Sequence, residues 1–196
     1  MDEVSGYRTV RQGVFLYPWD VVGDPGAAER IAALGVDSVS LAASYHTVRA
    51  LTPFHPKHRV FTAAHAAAYY RIRDQVWAGR RLRPAAPGWM KDPGSFGSAL
   101  AALLSVGLEV NAWVVLTHNS HLGRANRDLT VRNAFGDRYT YALCPSHAEV
   151  REYVSTVVGE VVEQYPVAAV ELEACGWLGF DHNGQHEKTD GADLTP

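Results

Sequence analysis

Short apolar runs of strand length alternate along the chain with longer segments whose apolar residues recur at helical spacing. Residues 13–20 predict a buried strand that runs into a loop, and residues 36–43 predict a second strand. Between them, Asp24 suits a helix N-cap, Pro25 suits the first helical position, and Gly35 suits a helix C-terminus. This order indicates a strand–helix–strand unit.

The second half of the chain repeats the alternation. Residues 59–63 predict a short third strand, residues 108–118 predict a strand buried on both faces, and residues 119–137 predict a long polar loop. Residues 95–106 predict a helix, with its apolar face formed by Phe96, Leu100, Leu103 and Leu104. Ser146 and Glu149 have capping-box spacing and predict another helix start. The inward-facing residues predicted for that helix are Val150, Val154, Val157, Val158, Val161 and Val162.

The most informative segment is residues 167–177, an apolar run that carries Glu171 and Glu173. Residues two apart in a strand share a face, so both carboxylates are predicted to leave one side of the sheet near the strand's carboxyl end. Two like charges this close favour one ionised and one protonated carboxyl, which suits acid/base chemistry. The alternative is a glutamate pair satisfied by arginines or placed at an exposed strand end. The flanking residues predicted to be buried on both faces are Val167, Ala168, Ala169, Val170 and Leu172.

Strands that alternate with helix-sized spacers predict an α/β fold with parallel strands. No Gly-rich phosphate-binding motif follows the first strand, and the loops after the strands are long and polar, as in a (β/α)₈ TIM barrel. About five βα units are counted, whereas a whole barrel needs about 250 residues. We therefore predict an incomplete barrel over residues 1–180 and a polar, disordered tail over residues 181–196. Its last strand would be an exposed edge through which the chain forms an oligomer.

Polar and aromatic side chains cluster where the predicted strands end, which is the active face of a barrel. Aromatic rings there suit stacking on a sugar, and the polar groups suit hydrogen bonds to hydroxyls. The predicted substrate-binding residues are Tyr17, Trp19, Asp20, His46, His118, Asn119 and Asp181. The alternative places Trp19 in the core and the histidines in backbone-bound loops. A zinc site built from His118, His121 and a glutamate is conceivable, but the His-x-x-His spacing is too common to indicate one. We therefore predict no metal and no cofactor.

Composition narrows the function classes. The apolar fraction of 47%, the charged fraction of 20% and the net charge of −3 are ordinary for a globular domain and leave no footprint for nucleic acid or an anionic membrane. No apolar run approaches the roughly 20 residues of a membrane span, and the amino terminus lacks a signal-peptide pattern. Two cysteines without CxxC spacing predict no disulfide framework. We expect a cytoplasmic protein, and the Ala, Val, Arg and Gly content suggests a bacterial source.

Four segments together resemble bacterial hypothetical proteins of glycoside-hydrolase-like type: residues 113–123, 128–137, 142–147 and 171–180. The resemblance covers nearly the whole chain and implies the amino-terminal part of a (β/α)₈ barrel. The Glu-x-Glu strand is also similar to the Asp-x-Asp-x-Glu strand of chitinase-like barrels. That similarity matches Glu173 to the acid and Glu171 to its supporting carboxylate, while Ala169 stands at the first acidic position.

Two functions follow from these expectations. In the first, the protein hydrolyses a glycosidic bond, with Glu173 as general acid and Glu171 as its partner. In the second, it is a non-catalytic carbohydrate-binding module, or a barrel fragment that needs a partner chain. Both predict a carbohydrate or another polyhydroxylated small molecule as ligand.

Overall fold

A computed structural model describes residues 10–90 and 94–179. The strands in these ranges are β1 (Gly13–Leu16), β2 (Ser38–Tyr45), β3 (Val48–Leu51), β4 (Val60–Ala63), β5 (Ala67–Ala68), β6 (Glu109–Val115), β7 (Thr130–Arg132), β8 (Arg138–Leu143) and β9 (Val170–Glu173). The α-helices are α1 (Ala27–Ala32), α2 (Asp74–Trp77), α3 (Ser95–Ser105), α4 (Ser120–Ala125) and α5 (Ala148–Gln164). None of these helices is both long and apolar enough to cross a membrane.

A five-stranded, mostly parallel sheet organises the molecule, and the mixed α/β class is confirmed. Its strands lie in the order β1-β2-β6-β9 and run parallel, while β5 pairs antiparallel with the end of β2. β1 and β9 form the two edges of this sheet. The described residues therefore contain four parallel strands in an open arrangement.

Two segments differ from the predicted βα repeat. The predicted third strand is β4, but it pairs antiparallel with β3 in a separate hairpin, because the loop over residues 52–59 reverses the chain. The predicted loop over residues 119–137 contains α4 and β7, and β7 pairs antiparallel with β8. These two hairpins explain why fewer than five βα units form.

The core lies on the helical side of the sheet. Alternate strand residues point to that side, and the helices α3 and α5 cover them with the apolar faces that their spacing predicts. The fully buried residues of this layer include Val39, Leu41, Val110, Val114, Phe96, Leu103, Val150, Val157 and Val161. Leu104 and Val162, predicted to face inward, lie at the margins of their helical stripes and are exposed.

The last strand is less buried than its composition predicts. Leu172 is 52% exposed, and Ala168 and Ala169 are also exposed. The cause is that β9 pairs only with β6 among the described strands, so one edge and part of one face remain uncovered.

Helix starts also differ in detail from the sequence prediction. α1 begins two residues after Pro25, and Asp24 accepts a hydrogen bond from the Gly26 amide at 3.2 Å. α5 has His147 at its N-cap without a side-chain cap, because the Ser146 hydroxyl instead contacts the Cys144 thiol at 3.0 Å. α1 ends at Ala32, three residues before the predicted Gly35, which takes a positive φ of 73° in the turn that follows.

A buried carboxylate ties α5 to the segment before α3. Glu160 is 1% exposed and accepts hydrogen bonds from the Trp77 indole at 2.5 Å and from the Arg73 backbone amide at 3.0 Å. The Arg73 guanidinium also forms an ion pair with Glu160, with 3.2 Å between Arg73 Nε and Glu160 Oε1. A buried carboxylate is tolerated when donors surround it, so this cluster depends on all its members.

We predict that Glu160→Leu lowers the free energy of unfolding by about 1–3 kcal/mol, because the buried Trp77 indole and the Arg73 amide lose their acceptor. Glu160→Gln keeps an acceptor oxygen and should cost less. Urea denaturation of both variants measures the difference. Glu163→Gln is the control, since Glu163 contacts the same arginine from an exposed position and should change stability little. Equal stability of the Leu variant and the control would contradict the prediction.

Gly123 lets α4 approach β8 closely. A Cβ added there would lie 2.0 Å from the Thr140 carbonyl oxygen, which is a backbone atom with no freedom to rotate away. By contrast, a Cβ at Gly159 in α5 would meet nothing within 4 Å.

Gly123→Ala should therefore destabilise the protein by about 1–3 kcal/mol through overpacking against backbone. Gly159→Ala should stabilise it by about 0.5–1 kcal/mol, because alanine loses less backbone entropy than glycine in a helix. Thermal unfolding followed by circular dichroism compares the two. The opposite ranking of their Tm values would show that α4 moves freely away from β8.

Candidate functional site

Glu171 and Glu173 leave the same face of β9. Glu171 Oε1 accepts a hydrogen bond from Asn111 Nδ2 at 2.9 Å, and Glu173 Oε2 accepts one from Trp113 Nε1 at 2.7 Å. Asn111 and Trp113 are two positions apart on the neighbouring strand β6, so they share a face as well. The two carboxylates thus lie beside each other on the side of the sheet opposite the helices.

A third strand, β2, also contributes a hydrogen bond to this pair of carboxylates. Ser40 of β2 donates its hydroxyl to Glu171 Oε1 at 2.6 Å. Within the described ranges, neither Glu171 nor Glu173 forms an ion pair with a lysine or arginine. The side chains that hold the two carboxyl groups are therefore neutral donors.

An aromatic cluster adjoins the carboxylates. The Trp113 ring contacts Phe15 at a centroid distance of 4.9 Å, Tyr45 at 4.6 Å and Tyr17 at 6.0 Å. Phe15 is 61% exposed on this face. Burial, followed by a hydrogen bond with Tyr45, raises the pKa of Tyr17, so its phenol stays protonated and can donate. Rings beside carboxylates suit a ligand with apolar faces and hydroxyl groups.

Two histidines continue the cluster at the carboxyl ends of β2 and β6. The His46 ring lies 4.1 Å from the Tyr45 ring and 4.6 Å from the His118 ring, centroid to centroid. His46 Nδ1 contacts the Thr47 carbonyl oxygen at 2.8 Å. The structure therefore brings together three of the predicted substrate-binding residues, Tyr17, His46 and His118, and connects them to Glu173 through Trp113.

Asn119 stabilises the start of α4. It is the N-cap of α4, where its Oδ1 accepts a hydrogen bond from the Leu122 amide at 2.9 Å. Asn119 is 5% exposed, and its Nδ2 lies 3.5 Å from the Tyr153 hydroxyl. Burial raises the pKa of Tyr153 to about 12, so this hydroxyl is neutral. The side chain predicted to orient a sugar is thus engaged in local structure.

Trp19 and Asp20 contact Tyr17 of the aromatic cluster and not the carboxylates: the Trp19 ring stacks on the Tyr17 ring at a centroid distance of 4.5 Å, and Asp20 accepts a hydrogen bond from the Tyr17 amide. Trp19 is 3% exposed and packs against Phe61 and Tyr69, which matches the core alternative for this residue. Both residues line a cavity beside β1, between α1 and the turn that joins β3 to β4. We call this cavity the α1 cleft, defined by Leu16, Trp19, Asp20, Asp24, Arg30, Ile31, Leu34, Leu51, Phe54 and His55. Asp181, the remaining predicted binding residue, lies outside the described residues.

The backbone turns sharply directly after Glu173. Ala174 has a φ of 55°, in the left-handed region that alanine rarely adopts. Its carbonyl oxygen accepts hydrogen bonds from the Thr117 amide at 3.0 Å and the Thr117 hydroxyl at 2.5 Å. These bonds fix the end of β9 to the end of β6.

Sequence reasoning missed Ser40, Asn111 and Trp113, the three residues that hold the carboxylates. The available signal was Asn111, a polar residue within an apolar strand, whose face Trp113 shares two positions later. Ser40 follows the same alternation on β2, opposite Asn111 in the pairing register. Across residues 10–90 and 94–179, no three His, Cys, Asp or Glu side chains group closely enough to hold a metal ion.

No family model matches the chain, and no curated protein matches it. Among solved structures, the noncanonic maltogenic alpha-amylase AmyB from Thermotoga neapolitana is similar at 17% identity and a TM-score of 0.49, over 87% of this chain and 40% of its own. The galactosidase domain of the alpha-galactosidase-sucrose kinase AgaSK is similar at 18% identity and a TM-score of 0.47, over 84% of this chain and 21% of its own.

The GH36 alpha-galactosidase AgaA from Geobacillus stearothermophilus, in complex with stachyose, is similar at 18% identity and a TM-score of 0.45. That likeness covers 83% of this chain and 21% of the alpha-galactosidase. The chain thus spans less than half the length of each of these three structures.

Burial makes the stability of the protein depend on the protonation of Asp20. Desolvation raises the pKa of this carboxyl above its ordinary value of 3.8, against the opposing hydrogen bond from the Tyr17 amide. Between the ordinary and the raised pKa, the folded state therefore holds a proton that the unfolded state has released, and stability falls as pH rises through this range.

Asp20→Asn should remove this penalty while keeping an oxygen for the Tyr17 amide. We expect the variant to be at least as stable as the wild type near pH 7, and to lose that advantage below the ordinary pKa of aspartate. Urea denaturation across this pH range measures both proteins. A variant whose relative stability does not change with pH would contradict the prediction.

Proposed function

We propose that the chain is part of a glycoside-hydrolase-like (β/α)₈ barrel and that it hydrolyses a glycosidic bond with Glu171 and Glu173. The observation that carries the proposal is the pair of carboxylates on one open sheet face, held by neutral donors and bordered by aromatic rings. The face that carries them would line the barrel interior, and Glu173 stands at the carboxyl end of its strand, where barrel enzymes carry their catalytic groups.

Their surroundings favour different roles for the two carboxylates. Two donors, Ser40 and Asn111, hold Glu171 deeper in the strand, so it serves as the fixed negative charge that stabilises an oxocarbenium-like transition state. Glu173 accepts a single side-chain hydrogen bond at the end of the strand, so it acts as the general acid toward the leaving oxygen. In this hydrolysis a water molecule attacks the anomeric carbon and passes its proton to Glu171, while Glu173 protonates the leaving oxygen.

The aromatic cluster suits the proposed carbohydrate ligand. Phe15 and Trp113 offer ring faces for the apolar side of a sugar, and Tyr17 donates from a protonated phenol. His46 and His118 add polar groups at the rim of the same face.

The uncovered edges of the sheet favour one second function. β1 and β9 pair with only one neighbour each among the described strands, and Leu172 on β9 is exposed. A chain with such edges fits a carbohydrate-binding fragment that needs further strands, supplied by another chain, before it turns over substrate.

We predict that Glu173→Gln abolishes glycoside hydrolysis and leaves carbohydrate binding intact, because glutamine keeps the oxygen that Trp113 contacts and removes the acidic proton. Reducing-sugar release from a panel of oligosaccharides measures turnover, and isothermal titration measures binding. Glu163→Gln, on the exposed side of α5, is the matched control and should retain full activity.

Three outcomes separate the two functions. Turnover that survives in Glu173→Gln removes this residue from the mechanism. Sugar binding without turnover in the wild type favours the non-catalytic fragment. Neither binding nor turnover with any oligosaccharide contradicts both.

A further inference from the structure

The α1 cleft has the size and lining of a small-molecule site. Its volume is about 480 Å³, within the range of roughly 300–1,000 Å³ that is usual for ligand pockets. Its wall is largely apolar, and three of its large apolar residues are strongly exposed: Leu34 at 66%, Leu51 at 78% and Phe54 at 86%. A ligand with an apolar body would cover them.

Four ionisable side chains line the cleft: Asp24 and Arg30 pair with each other, and both ring nitrogens of His55 are bound to backbone groups. Asp24 forms an ion pair with Arg30. His55 Nδ1 accepts hydrogen bonds from the backbone amides of Lys57 at 3.1 Å and His58 at 2.9 Å. The other ring nitrogen, Nε2, then donates to the Val22 carbonyl oxygen at 3.2 Å.

Asp20 is the exception. Its Oδ2 accepts a hydrogen bond from the Tyr17 amide at 2.8 Å, and it forms no ion pair among the described residues. Partial burial of this carboxylate without a cation is unfavourable, so a cation that enters the cleft gains an electrostatic interaction in a poorly solvated place.

We propose that the α1 cleft binds a small organic amine, with its ammonium group on the Asp20 carboxylate and its alkyl or aryl body against Leu34, Leu51 and Phe54. Charge complementarity selects the amine over neutral and anionic molecules of the same shape, and apolar contact supplies the remaining affinity. This site contains neither Glu171 nor Glu173, and it adjoins the proposed sugar site only through Tyr17, whose amide donates to Asp20 and whose ring stacks on Trp19.

Isothermal titration of the wild-type chain with three probes that share a phenethyl group tests the proposal. Phenethylamine should bind at least about tenfold more tightly than phenethyl alcohol near pH 7, and hydrocinnamate should bind most weakly. The amine should lose this advantage as pH falls and Asp20 becomes protonated, which tests the charge without any substitution.

Two matched variants locate the effect. Asp20→Asn should reduce phenethylamine affinity to that of phenethyl alcohol while leaving the alcohol unchanged. Asp24→Asn removes a carboxylate from the same cleft that is already paired with Arg30, and should keep the preference for the amine. Circular dichroism establishes that both variants are folded.

Three results would overturn the inference: equal affinity of the wild type for the amine and the alcohol, an amine preference that persists in Asp20→Asn, or no binding of any probe. None of these results bears on Glu173, whose role rests on sugar turnover.

Discussion

The parallel pairing of β2 with β6 is the constraint on which the rest of the structure depends. Val39 pairs with Val110 and Leu41 with Ala112, so their side chains form the centre of the helix-covered core. The same register places Ser40 opposite Asn111 on the other face, from which both donate to Glu171. One set of backbone hydrogen bonds thus aligns an apolar layer and a polar row, and neither layer shifts by one residue without destroying the other.

The elements that sequence reasoning located well are those whose signal is local and periodic. The helix around Phe96 and Leu103, the helix around Val157, and the strands that flank them all have apolar residues at the spacing of their secondary structure. The two hairpins were harder to predict from the sequence. The direction in which a strand pairs depends on its neighbour in the fold and not on its own composition. Residues 60–63 look like any short strand, and only their turn and their partner β3 make them antiparallel to it.

In the candidate site, too, features set by local periodicity were predictable and features set by tertiary contacts were not. The shared face of Glu171 and Glu173 follows from a period of two, and the sequence was sufficient to predict it. Whether a polar residue faces a ligand or its own backbone depends on tertiary contacts. Asn119 caps α4, and Trp19 fills a gap between aromatic rings, although both stand at strand ends where barrel enzymes place functional groups. Trp113 was the converse case, because an aromatic residue inside an apolar strand carries no mark of the carboxylate that its indole contacts.

The left-handed Ala174 has a consequence for how this region tolerates substitution. A side chain branched at Cβ raises the energy of a positive φ, whereas glycine and asparagine lower it. Valine, isoleucine or threonine at this position would rotate the peptide out of reach of Thr117 and turn Glu173 away from Trp113. Few residue types at position 174 are therefore compatible with the site, although Ala174 itself has no functional group.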